Sequence, residues 1–150
     1  MSRNSSKFSM ADITSKKEVL REAIASGKIH LKPSTIARIR KGRIEKGDPI
    51  AAAEVAAVLA AKNTPQTLPF CHPIPITNVR TKADISSSSI TVRSTVKTTA
   101  KTGVEMEALS ATSTYLLTLW DMVKQYEKDS RGQYPDTRIV DIRVLAKSKG

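Results

Sequence analysis

Two stretches of the chain alternate apolar and polar residues with a period of two. Val79, Thr81, Ala83 and Ile85 form the first; Ile90, Val92, Ser94, Val96, Thr98 and Ala100, opposed by Thr91, Arg93, Thr95, Lys97, Thr99 and Lys101, form the second. Each predicts a strand with one wet face, and the turn at Ser86–Ser89 joins them as an antiparallel hairpin. Val140, Ile142 and Val144 alternate with charged residues in Arg138–Lys147, which predicts a final strand. Before it, a long helical pattern runs from about Val104 to Lys128, and Asp129–Asp136, with Gly132 and Pro135, reads as a loop. Upstream, Asp48 as N-cap and Pro49 in the first turn predict a helix over Pro49–Lys62. That segment is almost entirely Ala, Val, Ile and Leu, so close burial against a sheet is expected. Pro33 opens a shorter helix through Arg40, stopped by Gly42. Ser15-Lys16-Lys17-Glu18 has the form of a capping box. It predicts a leading helix over Lys16–Ser26, with Val19, Ala23 and Ile24 on one face, Gly27 as its stop and Lys28–Leu31 as a short strand.

The order is a leading helical segment followed by β-α-β-β-α-β. This is an α+β, ferredoxin-like arrangement: an antiparallel sheet with helices on one face and an extra N-terminal helical segment. Met1–Ser9 reads as a flexible tail and residues 10–150 as a single domain. At 150 residues, 39% hydrophobic and 26% charged, the chain can bury a core of ordinary size. Lys and Arg exceed Asp and Glu by 25 − 14 = 11, which favours anionic partners without choosing among nucleic acid, nucleotide and membrane surface. One cysteine excludes an intrachain disulfide and a cysteine-based zinc cage. No signal core and no bilayer-length apolar run occurs, so a cytoplasmic protein is expected.

Candidate chemistry concentrates in a few places. Leu68-Pro69-Phe70-Cys71-His72-Pro73-Ile74-Pro75 cannot be helical, because each proline fixes its own φ and biases its predecessor toward extended backbone. His72 therefore sits on a stiff loop, either as a structural hydrogen bonder or as a ligand-binding group. Cys71 reads as a small buried residue rather than a nucleophile. Glu105 and Glu107 follow Gly103 at the start of the long helix, where the helix dipole alone favours acids and where glycine also admits a ligand close to the backbone. Asp121 and Lys124 are spaced as a surface ion pair. Lys46-Gly47 precedes a helix N-terminus, a weak phosphate-corner signal that is no Walker A loop. Glu107 and Asp121 lie 121 − 107 = 14 positions apart. An ideal helix brings them within roughly 40° of one face but about 21 Å apart along its axis. If both serve one site, that site is shared between two copies, because nothing between them is Gly or Pro.

These segments resemble the molybdenum cofactor biosynthesis protein C family, the cyclic pyranopterin monophosphate synthases. The matching blocks are Met10–Ile13, Arg21-Glu22-Ala23, Lys46-Gly47-Asp48, Leu68–Thr77, Lys101–Leu109, Tyr115 through Lys124, and Val144–Ser148. The resemblance implies a lyase that converts 3′,8-cyclo-7,8-dihydro-GTP to cyclic pyranopterin monophosphate with release of diphosphate. Lys46, Asp121 and Lys124 fall on its catalytic positions, Asp121 on the active-site acid. Arg21, Cys71, His72, Pro73, Glu105, Met106, Glu107 and Lys147 fall on positions expected to bind substrate. It implies dimers assembling to a hexamer with the site at a dimer interface, a functional link to an upstream radical GTP cyclase, and no required cofactor beyond Mg²⁺ accompanying the triphosphate. No metal ligand set, nucleic acid or membrane partner is expected. A basic nucleotide- or nucleic-acid-binding module is the rival; the hairpin strands carry no aromatic residue on which a base would stack. A metal-dependent hydrolase built on His72, Glu105, Glu107 and Asp121 is a further rival, with no HExxH spacing behind it.

Overall fold

The computed structural model describes residues 7–150; most of the expected tail, Met1–Ser6, lies outside them. Four strands, β1 (Val19–His30), β2 (Ile76–Ile85), β3 (Ser89–Ala100) and β4 (Arg138–Lys149), form one sheet in the order β2-β3-β1-β4. Every neighbouring pair is antiparallel. Between β1 and β2 come α1 (Pro33–Arg40), α2 (Pro49–Lys62) and the single turn α3 (Thr64–Thr67); α4 (Glu105–Glu127) joins β3 to β4. This is the expected ferredoxin-like βαββαβ order.

The hairpin forms on the expected residues, with Ser86 N–H donating to the Ser89 carbonyl at 2.9 Å. Val92, Ser94, Val96 and Thr98 are buried beneath the helices, so the period-two pattern picks the correct face. The helix starts at Pro33 and Pro49 are also where the pattern puts them. Asp48 accepts hydrogen bonds from Ile50 N and Ala51 N, satisfying two free donors of the first turn of α2.

The leading helix is not present. Val19–Ser26 forms most of β1, a central strand paired with β3 from Val19↔Ala100 to His30↔Ser89 and with β4 on its other side. Arg, Glu, Ala and Ser are good or neutral helix formers, and Val19, Ala23 and Ile24 fit a helical face. Pairing on both edges overrides that weak local preference. Gly27 is accordingly no helix stop. It lies mid-strand under α4, where a Cβ would approach Leu116 Cδ1 to 2.7 Å and Thr112 Cγ2 and Ile142 Cγ1 to 3.1 Å. The missing side chain lets the long helix sit down on the sheet.

α2 also departs from expectation. Its buried residues, Ala53, Ala57 and Ala61, lie chiefly against α4, with β2 a lesser neighbour. Val55 and Leu59 point outward, 63% and 54% exposed. A helix that is apolar all round gives no periodic clue to its buried side.

Candidate active site

The Pro-rich loop, the start of α4 and the N-terminal segment enclose a cavity of about 610 Å³. Its walls include Ile13, Phe70, Cys71, His72, Glu105 and Met106. A second cavity of about 330 Å³ shares Lys16, Thr102, Gly103 and Glu105 with the first and adds Arg21, Glu22, Lys147 and Lys149. The first chamber is mainly apolar with a few polar groups; the second is crowded with cations. Glu105 stands on the boundary.

α4 begins here because Gly103 leaves room at the turn. A side chain at position 103 would collide with the Glu105 carboxylate, which folds back over the loop. Gly103 thus makes space for the Glu105 carboxylate in this position. Lys147 Nζ donates to Glu105 Oε1 at 3.0 Å. Burial opposes ionisation of Glu105, but its own backbone N–H, the Lys147 hydrogen bond and the charges of Lys147 and Arg21 outweigh it and hold the carboxyl below its ordinary value. Glu107, two residues on, has no cation. It is 2% exposed, and Cys71 Sγ lies 3.6 Å from its Oε1. Burial raises its pKa, and the charge of Glu105 adds to that, against the opposing pull of its backbone N–H and the Cys71 thiol. Glu107 Oε2 is buried without a partner among the described residues. Two acids two positions apart therefore have opposite protonation tendencies, set by what each one faces.

Cys71 is not an activated nucleophile: burial, the charge of Glu107 and the hydrogen bond to it push the thiol up to about 11. His72 Nε2 is 2.8 Å from the Ala11 carbonyl oxygen, so the ring ties the N-terminal segment to the loop while lining the cavity. Phe8, expected in the flexible tail, stacks on Phe70 with ring centroids 5.9 Å apart. Pro73 lines a smaller neighbouring cavity with Ile13, His72 and Lys101 rather than the main one.

Lys46, Asp121 and Lys124 form a separate cluster. Lys124 Nζ is 3.1 Å and Lys46 Nζ 3.5 Å from Asp121 Oδ1. Lys46 also donates to the Asp121 carbonyl at 2.8 Å. The hydrogen bond from Lys124 and the neighbouring charges of both lysines hold the Asp121 carboxyl below its ordinary value. The lysine side chains are 39% and 43% exposed and Asp121 62%, so the cluster lies open on the surface. α4 is unbroken from Glu105 to Glu127, and the two groups sit toward its opposite ends. No break in the helix brings them together.

The sequence model of the MoaC family matches residues 10–150. The chain belongs to the MoaC family. It is similar to proteins named probable cyclic pyranopterin monophosphate synthase from several archaea. The Aeropyrum pernix protein is 55% identical over 141 residues, which cover 94% of this chain and 97% of that one. The Sulfolobus acidocaldarius protein is 57% identical over 140 residues, 93% of this chain and 98% of the relative. The Archaeoglobus fulgidus protein is 54% identical over 144 residues, 96% and 92%.

Among the expected binding residues, Cys71, His72, Glu105 and Met106 line the first chamber and Arg21, Glu105 and Lys147 the second, whereas Glu107 is buried beside Cys71 and lines neither. Lys16 and Lys149 were not anticipated. Lys149 was legible in principle: it pairs with Arg21, and lies two residues beyond Lys147 on the same strand face. Lys16 carries no such signal. Among the described residues no group of three or more His, Cys, Asp or Glu side chains is placed to hold a metal ion. No helix of the described residues is long and apolar enough to cross a membrane.

Proposed function

We propose that this chain is a cyclic pyranopterin monophosphate synthase of molybdenum cofactor biosynthesis, a phosphorus–oxygen lyase acting on 3′,8-cyclo-7,8-dihydro-GTP. The observation that carries this reading is the pair of joined chambers. One has the size and mixed lining of a site for a purine-derived ring; the other gathers Lys16, Arg21, Lys147 and Lys149 for a triphosphate. The names of the archaeal relatives agree with it.

In this reading the ring system enters beside Met106 and His72. Glu105, fixed by Lys147, takes an N–H of the ring, while Glu107, which lines neither chamber, holds the Cys71 thiol of the wall. The cations hold the triphosphate with its α-phosphorus near the boundary between the chambers. Opening and rebuilding of the rings requires protons to be removed and returned, and Lys46, Asp121 and Lys124 are the acid–base set. Asp121 aligns both ammonium groups. A hydroxyl of the sugar-derived portion then attacks the α-phosphorus, its proton passing to the acid–base set; the bond to the bridging oxygen breaks and diphosphate leaves with its electron pair. Mg²⁺ in this reading comes only as the counter-ion of the triphosphate, and the chain requires no other cofactor.

The acid–base set is far from the chambers of its own chain, so the complete site forms where the Lys46 cluster of one copy meets the chambers of another. Dimers of this kind, assembled to a hexamer in the cytoplasm, would receive substrate from a radical GTP cyclase. Desolvation of the lysines on assembly would prepare them for proton transfer.

A turnover assay tests the reading. Wild-type protein given 3′,8-cyclo-7,8-dihydro-GTP is expected to release diphosphate and a pterin that fluoresces after oxidation, and Lys46→Ala to release neither. A folded wild type that releases neither would contradict it.

A further inference from the structure

Lys46 lies on a short loop between α1 and α2, with no regular structure of its own. Gly47 adopts φ +119° within the turn, and Ile44 is the buried residue of the loop. The loop is closed by Gly47 N–H donating to the Ile44 carbonyl at 3.1 Å and Arg43 N–H to the Arg38 carbonyl at 2.9 Å, and the last turn of α4 holds it against the rest of the molecule. The Tyr126 hydroxyl accepts a hydrogen bond from Glu45 N–H at 2.9 Å. Gln125 Nε2 donates to Glu45 Oε2 at 3.1 Å. The Arg38 guanidinium lies 4.6 Å from the centroid of the Tyr126 ring, which holds the ring from the α1 side. The Tyr126 contact is to the backbone of the residue immediately before Lys46. One residue later, Lys46 Nζ reaches the Asp121 carbonyl at 2.8 Å on the same helix. The lysine is thus held at two points on α4: by its own ammonium, and by the preceding peptide.

We propose that Tyr126 is the positioning residue for Lys46: its hydroxyl anchors the Glu45 peptide and so sets where the Lys46 ammonium meets Asp121 and Lys124. This rests on the synthase reading for its catalytic consequence but not for the geometry. Tyr126 touches neither chamber and has no direct chemical part. Its effect arises because the anchored peptide sets the point from which the lysine side chain reaches Asp121, and a displacement of about 1 Å at an acid–base group can cost up to 100-fold in rate.

Tyr126→Phe is the informative variant, because it removes the hydroxyl and keeps the ring under Arg38. Glu45 N–H then turns to water. Tm is expected to move by no more than about 4 °C. The expected kinetic result is a kcat roughly tenfold lower with KM within about twofold of wild type, since substrate is bound elsewhere. A second readout needs no turnover: acetylation of Lys46 by a limiting amine reagent, followed by peptide mass spectrometry. Lys46 is expected to react severalfold faster in Tyr126→Phe, while a distant lysine such as Lys82 reacts as before. An unchanged Lys46 rate overturns the proposal whatever the kinetics show. A raised rate with unchanged kcat overturns its catalytic part. A raised rate in a protein whose wild type turns over no substrate upholds the positioning and counts against the synthase reading alone.

Discussion

Glu105 and Glu107 show how far burial and partners separate two identical side chains. Glu105 faces Lys147 and Arg21 and stays ionised below its ordinary value; Glu107 faces a thiol and a dry wall and resists ionisation. Their contributions to stability have opposite sign. Glu107 has its folded pKa raised, so its favourable contribution is complete below the unfolded value of about 4.5 and is lost as pH rises through the folded pKa. Glu105 contributes above its unfolded value and loses that contribution as pH falls through its depressed pKa. Glu107→Gln cannot ionise. Denaturant unfolding is therefore expected to show the variant gaining on wild type as pH increases from the acid side of 4.5 to neutrality. A stability difference independent of pH would contradict the assignment. The identity of these residues was legible from the Gly103 turn and the matching segments. Their opposite tendencies were not, because the Lys147 partner comes from a strand 42 positions away.

At the scale of elements, legibility followed the strength of the local signal. The hairpin, with an unbroken two-residue period, and α4, with long helical periodicity, were readable to within about a residue or a few. β1 was not. Its residues fit a helical face equally well, and its strand state depends on two neighbours distant in sequence. The buried Glu127 was equally hidden. Its carboxylate accepts from Lys32 N at 3.1 Å, Thr137 Oγ1 at 2.8 Å and Thr35 Oγ1, tying α1, α4 and the approach to β4 together. No period marks an acid that pairs with scattered hydroxyls. Gly27 belongs to the same scale, since its lack of a side chain sets the distance between α4 and the sheet. Gly27→Val is expected to destabilise the fold by about 1–3 kcal/mol through overpacking against Leu116 and Thr112. The check is a lowered urea midpoint with unchanged slope. A midpoint equal to wild type would mean that α4 shifts freely, contrary to this packing.

For the whole molecule, the net charge of +11 includes two basic surfaces of different character. Lys16, Arg21, Lys147 and Lys149 surround the second chamber, whereas Arg80, Lys82 and Arg93 lie on the open sheet face without an aromatic residue beside them. The first group suits a phosphate chain, and the second offers general phosphate attraction without base stacking. The molecule-wide feature that matters most is the continuity of α4 from Glu105 to Glu127. It keeps the two chambers and the Lys46–Asp121–Lys124 cluster toward opposite ends of one helix. The separation of the two groups was foreseeable from the 121 − 107 = 14 residue spacing, because that depends only on the rise of a helix.

Subunit complementation tests this account most directly. Glu105→Ala disables a chamber and Lys46→Ala disables an acid–base cluster, and each variant alone is expected to be inactive on 3′,8-cyclo-7,8-dihydro-GTP. When they are co-expressed and purified together, random pairing makes half the dimers mixed, and each mixed dimer has one intact site. Recovery of about a quarter of wild-type turnover is therefore expected. No recovery from a verified mixed oligomer, with wild type active in the same assay, would contradict a site built from two copies.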